Sequence, residues 1–121
     1  MNFINPKHLY RSTKNSLSGL SIAWKNEQAF RHEILLLPVI GIALAILRPG
    51  LYWSVAILGA WLIVLSVELL NSAIEQLCNK VCPEYDLLIK YSKDMASAAI
   101  FMALCLNGLL WLAMLWDYFT F

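Results

Sequence analysis

Glu68 is the residue whose position in this sequence most needs a reason. It follows 17 uncharged residues, Leu51 to Val67, and offsets of three, four and seven bring Asn71, Ser72 and Glu75 to the same side of a helix. A carboxylate at the end of such a run must be paired, protonated or turned towards a polar cavity, and ionisable groups at membrane depth usually mark functional sites. A structural hydrogen bond between helices is the competing reading for Glu68. Two further clusters carry chemistry: Glu27, Arg31 and Glu33, then Glu84, Asp86, Lys93 and Asp94. Carboxylates converging from separate helices suit Mg²⁺, a hard cation that takes oxygen ligands and bridges phosphates, and Lys93 is placed to neutralise phosphate charge. Taken singly, Glu75, Glu84, Asp86, Lys90, Lys93 and Asp94 read as solvated charges of a water-facing loop.

Composition identifies the solvent. Of 121 residues, 60% are hydrophobic and 14% charged, with mean hydropathy +0.64, against roughly 25% charged in a soluble domain. The chain therefore reads as a small integral membrane protein of the all-α class. A net charge of +1 excludes the broad basic surface that nucleic-acid binding requires. No phosphate-binding glycine motif of a soluble nucleotide fold is present, and the five glycines are scattered.

Three apolar segments must position the polar clusters: Ile34 to Leu47, Leu51 to Val67 with a polar continuation to Ile74, and Ala96 to Trp116. The third has 21 residues without a charge, enough to cross about 30 Å of hydrocarbon. The first is short by itself, so its helix is expected to extend back into residues 28–33. One domain of 121 residues is thus expected to comprise an interfacial helix over 1–27 and spans over 28–47, 51–75 and 95–117, with a loop over 76–94. Arg48-Pro49-Gly50 is a tight breaker that makes the first two spans antiparallel neighbours. Lys7, Arg11, Lys14, Lys25 and Arg31 precede the first span and Lys80, Lys90 and Lys93 separate the other two, while Arg48 falls on the opposite side. Both the N-terminus and the 76–94 loop are expected in the cytoplasm.

The first 25 residues lack the apolar core and cleavage site of a signal peptide. Leu9, Thr13, Leu17, Leu20 and Trp24 fall near one helical face, and Lys7, Arg11, Lys14, Ser18, Ser21 and Lys25 largely opposite, the pattern of a helix lying on an anionic leaflet. A solvated helix packed on the bundle is the plainer alternative. Cys78, Cys82 and Cys105 do not make a zinc cage and read as ordinary thiols, and His8 and His32 as interfacial polar residues.

Three blocks of this sequence, AWKNEQAFRHE (Ala23 to Glu33), VELLNSAIE (Val67 to Glu75) and EYDLLIKYSKDMASAA (Glu84 to Ala99), resemble the signature blocks of the prokaryotic integral-membrane diacylglycerol kinases in order and separation. The resemblance runs from about Gly19 to the end of the third span. It implies a homotrimer in the bacterial inner membrane, each subunit with an amphipathic surface helix and three transmembrane helices. It also implies transfer of the γ-phosphoryl of MgATP to the hydroxyl of diacylglycerol, giving phosphatidic acid. Small residues Ala96, Ala98, Ala99 and Ala103 would permit close helix approach in such an assembly.

Carried over by position, Glu68 matches the family's general base, Glu27 and Glu75 its metal carboxylates, and Asn71, Lys93 and Asp94 its nucleotide-site residues. Glu84, Tyr85 and Asp86 match the loop that approaches the nucleotide, with Asp86 the more variable position. Arg31, Glu33 and Ser97 match positions lining the lipid site, framed by Trp24 and Phe30, for which membrane anchoring is the simpler single explanation. The sequence departs from its relatives at Lys7 and His8, where an arginine is usual with Arg11 one turn later, at Asn15, where an aromatic is expected, and at Asn79, where an acid is common. An undecaprenol kinase shares this core motif, although Asn-Ser-Ala and the Glu-Tyr loop favour diacylglycerol. From a different class, a membrane scaffold or ion-conducting oligomer would turn Glu68 towards a pore.

Overall fold

A computed structural model describes residues 5–120 of the chain, so the part of the expected 1–27 helix that falls on residues 1–4 lies outside the described residues. Four helices follow one another, α1 (Pro6–Asn26), α2 (Gln28–Leu47), α3 (Leu51–Val81) and α4 (Leu87–Thr120), and the described residues contain no strand. Helices α2, α3 and α4 are each long and apolar enough to cross a membrane. At about 1.5 Å per residue, α3 and α4, with 31 and 34 residues, must project beyond a hydrocarbon layer of about 30 Å.

Helix α1 starts where Asn5 accepts a hydrogen bond from the Lys7 amide at 3.1 Å and Pro6 occupies the first turn. Leu9, Tyr10, Leu17, Leu20 and Trp24 stand exposed and only Ala23 is buried. An amphipathic helix with its apolar face uncovered is what a bilayer surface requires. A single extended residue, Glu27 (φ −114°, ψ 107°), ends α1 and begins α2.

The α2–α3 turn is tight because Arg48 adopts the left-handed region at φ 52° and Gly50 takes φ 108°. Lacking a Cβ, glycine is the residue suited to the second of these conformations. Packing then runs along one stripe of α3: Ile57, Trp61, Val64 and Leu65 recur at helical spacing against Phe30, Ile40 and Leu44 of α2 and Ala103 and Met114 of α4. Polar ties join α3 to α4 within the bundle. Buried Asn107 donates to the Ala60 carbonyl at 3.0 Å, and the Trp53 indole donates to Asp117 at 3.0 Å.

The loop expected over 76–94 is mostly helical. Nothing in Gln76–Val81 breaks the helix, so α3 continues to Val81, where Pro83 lies just beyond. Asp86 then starts α4 early, its side chain accepting from the amides of Leu88 and Ile89 at 3.0 and 3.1 Å. The connection shrinks to residues 82–86. Lys93 and Asp94, expected on a loop, are therefore carried on the first turns of α4, while Glu84, Tyr85 and Asp86 stay in the connection.

Candidate functional site

On α3 the polar stripe is real and largely buried. Glu68 is 6% exposed, Asn71 8% and Ser72 6%, while Glu75, one turn further on, is exposed. The stripe thus runs from the packed bundle out to water over two turns. Across from it, α2 brings Glu33 near enough for the two carboxyl groups to act on one another. One Glu33 oxygen, Oε2, is buried with no hydrogen-bond partner. The Glu33 main chain is itself tied to α3, since the Trp61 indole donates to its carbonyl oxygen at 2.8 Å.

Glu27 sits at the elbow between α1 and α2, half-buried, where Gln76 of α3 donates to its Oε1 at 3.3 Å. Glu27 and Glu75 are both near enough for their charges to act on Glu68. Beside Glu27 opens a cavity of about 430 Å³ between α1 and α3, its wall formed by Gly19, Leu20 and Ala23 on one side and Leu69, Ser72 and Gln76 on the other. Mostly apolar with a carboxylate at its mouth, it offers space for a chain that is part hydrocarbon and part polar.

A second cavity, about 330 Å³, lies between the ends of α3 and α4 and is lined by Glu84, Tyr85, Asp86, Lys93 and Asp94 together with Lys90. Lys93 donates to Asn79 at 2.8 Å, and Lys90 pairs with Asp94 at 2.7 Å. The neutral amide of Asn79 leaves the charge of Lys93 uncompensated, as phosphate recognition requires. Glu84 lies beside Cys82, its Oε2 at 3.6 Å from the thiol.

The sequence-predicted residues thus form two groups, Glu27, Glu33, Glu68, Asn71 and Glu75 around the α2–α3 contact, and Glu84, Tyr85, Asp86, Lys93 and Asp94 around the second cavity. Several are positioned differently from expectation. Phe30 is 2% exposed and packs in the core, because the first turns of α2 press on α3, so it is not an interfacial aromatic. Arg31 turns back to donate to the Trp24 and Lys25 carbonyls at 2.9 and 3.1 Å, closing the open end of α1. Asp86 serves as the α4 cap. Trp24 and Ser97 are exposed. Residues the motif reading passed over are Trp61 and Gln76. For Trp61 the signal was present: a tryptophan seven before Glu68 lies on the same helical face, and a buried indole N–H needs an acceptor.

Metal binding can be tested on the donor set. Among the described residues no three His, Cys, Asp or Glu side chains assemble into a cage. Glu27 and Glu75 offer carboxylates, and the Asn71 side-chain oxygen is buried with no partner. An all-oxygen set with few protein ligands fits Mg²⁺, which commonly uses one or two carboxylates and takes the remainder from water and phosphate oxygens.

The family model described as prokaryotic diacylglycerol kinase matches residues 14–115. A diacylglycerol kinase of Haemophilus influenzae is 39% identical over 104 residues, which cover 86% of this chain and 88% of that protein. The Escherichia coli K12 diacylglycerol kinase is also 39% identical over 104 residues, with 86% and 85% covered. For the Pseudomonas aeruginosa diacylglycerol kinase the identity is 40% over 110 residues, covering 90% and 89%.

Proposed function

Because this chain belongs to the prokaryotic diacylglycerol kinase family, we propose that it phosphorylates diacylglycerol with ATP, giving phosphatidic acid and ADP, and does so as a Mg²⁺-dependent homotrimer in the bacterial inner membrane with its N-terminus in the cytoplasm. The observation that carries the reading is the burial of Glu68 at the end of an apolar run, beside Glu33 and within electrostatic range of Glu27 and Glu75. An acyl-anchored substrate presents its hydroxyl at the headgroup boundary, where a partly desolvated carboxylate can take a proton.

In this mechanism Glu68 accepts the hydroxyl proton while the lipid oxygen forms its bond to the γ-phosphorus. The bond from that phosphorus to the bridging oxygen breaks, and its electron pair leaves on ADP. Phosphoryl transfer is chiefly positioning and charge neutralisation. Lys93, facing the second cavity beside neutral Asn79, neutralises phosphate charge, and Glu84, Tyr85 and Asp94 frame the nucleotide. Glu27 and Glu75 would hold Mg²⁺, which when bound would offset charge on the phosphate oxygens, and Asn71 would face the nucleotide. Arg31 fixes the α1–α2 elbow, and Glu33, Ser97 and Trp24 border the lipid. Trimer formation would cover part of the apolar surface that α4 leaves open, including Phe101, Leu109 and Leu112.

The test is phosphoryl transfer from labelled MgATP in mixed micelles offering diacylglycerol and undecaprenol together, with wild type and Glu68→Gln. Labelled diacylglycerol is expected, with kcat reduced by about 10²-fold or more in the variant and the KM for MgATP unchanged. Preferential labelling of undecaprenol would reassign the lipid alcohol. No labelling of either would favour a scaffold or conducting oligomer.

A further inference from the structure

Trp61 is 8% exposed in the middle of α3, away from the interfacial levels where membrane tryptophans concentrate. Its indole N–H finds its acceptor on another helix, the Glu33 carbonyl oxygen at 2.8 Å. Seven residues, two helical turns, separate Trp61 from Glu68, so both face α2 from the same side of α3. One face of α3 consequently ties the Glu33 main chain through Trp61 and sets Glu68 beside its carboxyl group.

The local helix makes the main-chain tie matter. Pro38 has no N–H to give the Ile34 carbonyl, so the turn that follows Glu33 lacks a rung of its ladder. A helix weakened there can swing its preceding residues, unless another element fixes them. The Trp61 bond lands one residue before the missing rung. Glu33 Oε2 is buried with no hydrogen-bond partner, so no bond of its own fixes that oxygen if the backbone moves.

We propose that Trp61 is a positioning residue for phosphoryl transfer: by pinning the Glu33 main chain it holds the Glu33 carboxyl group against Glu68 and so aims the base at the lipid hydroxyl. This rests on the kinase reading above, in which Glu68 takes the proton. Trp61 touches neither substrate, so its contribution belongs in kcat and not in binding.

The experiment compares wild type, Trp61→Phe, Glu33→Gln, the double variant and Trp53→Phe in mixed micelles with diacylglycerol and MgATP. Trp61→Phe keeps the ring and removes the N–H. It is expected to lower kcat about 5-fold or more, since small misplacements of reacting groups are costly, with both KM values unchanged. Trp53→Phe removes the other interhelical indole bond, to Asp117, and is expected to leave kcat at the wild-type value. Because Trp61 acts through Glu33, the double variant is expected to lose no more than Glu33→Gln alone, whereas independent packing damage would multiply. Thermal unfolding of each variant is followed in the same micelles. Unchanged kcat in Trp61→Phe, a loss matched by Trp53→Phe, multiplying losses in the double variant, or a loss explained by unfolding would each overturn the positioning role. An inactive wild type would overturn the kinase reading and this role with it.

Discussion

At the scale of single residues, the carboxylates divide by how far each lies from water. Glu68 is buried, Glu27 half-buried and Glu75 exposed, a gradient that suits a proton acceptor at the lipid side and cation ligands towards the nucleotide. If Glu27 and Glu75 hold Mg²⁺, replacing either by glutamine removes a negative ligand and should move the half-saturating magnesium concentration up by about 10-fold or more, while added magnesium restores much of the rate. The measurement is a magnesium titration at fixed ATP, and a curve superimposing on wild type would remove that residue from the metal site. Glu68→Gln should behave oppositely, with no recovery at any magnesium concentration. The two variant classes thereby separate a ligand from a base.

At the scale of the helices, the site depends on where elements begin and stop. Asp86, expected near the nucleotide, caps α4 through the Leu88 and Ile89 amides. Asp86→Ala should therefore cost about 1 kcal/mol of stability, and Asp86→Asn only a small part of that, because asparagine caps as well. Chemical unfolding in micelles reads the difference, and equal stability of all three proteins would deny the cap. The helix ends also explain what the sequence could and could not disclose. The Glu68, Asn71, Ser72 stripe was legible because its spacing is a local property of one helix. So was the turn at Arg48-Pro49-Gly50, whose residues select its backbone. The length of α4 was not, because the charges of Glu84 to Asp94 resemble a solvated loop until the Asp86 cap is seen. Phe30 and Trp61 were missed for a related reason: whether an aromatic faces lipid or the α2–α3 seam depends on which helix packs there, and that is a tertiary fact.

At the scale of the whole molecule, the ends of the bundle differ in character. One end carries Glu27, Glu75, both cavities and most of the lysines, and the other carries Arg48 and Asp117. The first should face the cytoplasm. With the three native cysteines replaced by alanine, a membrane-impermeant thiol reagent should label Pro49→Cys on intact spheroplasts and Tyr85→Cys only after permeabilisation. The reverse pattern would invert the topology and separate the nucleotide cavity from cytoplasmic ATP. Within this frame, the joint at Glu27 ties chemistry to the bilayer itself. One extended residue is all that separates a helix riding at the headgroups from a helix crossing the acyl chains, so the carboxylate at that joint has no slack with which to choose its own depth. The membrane surface becomes a ruler for the enzyme. A thicker or thinner bilayer that shifted α1 relative to α2 would move Glu27 relative to Glu68, and catalytic rate would then read out lipid composition as well as substrate supply.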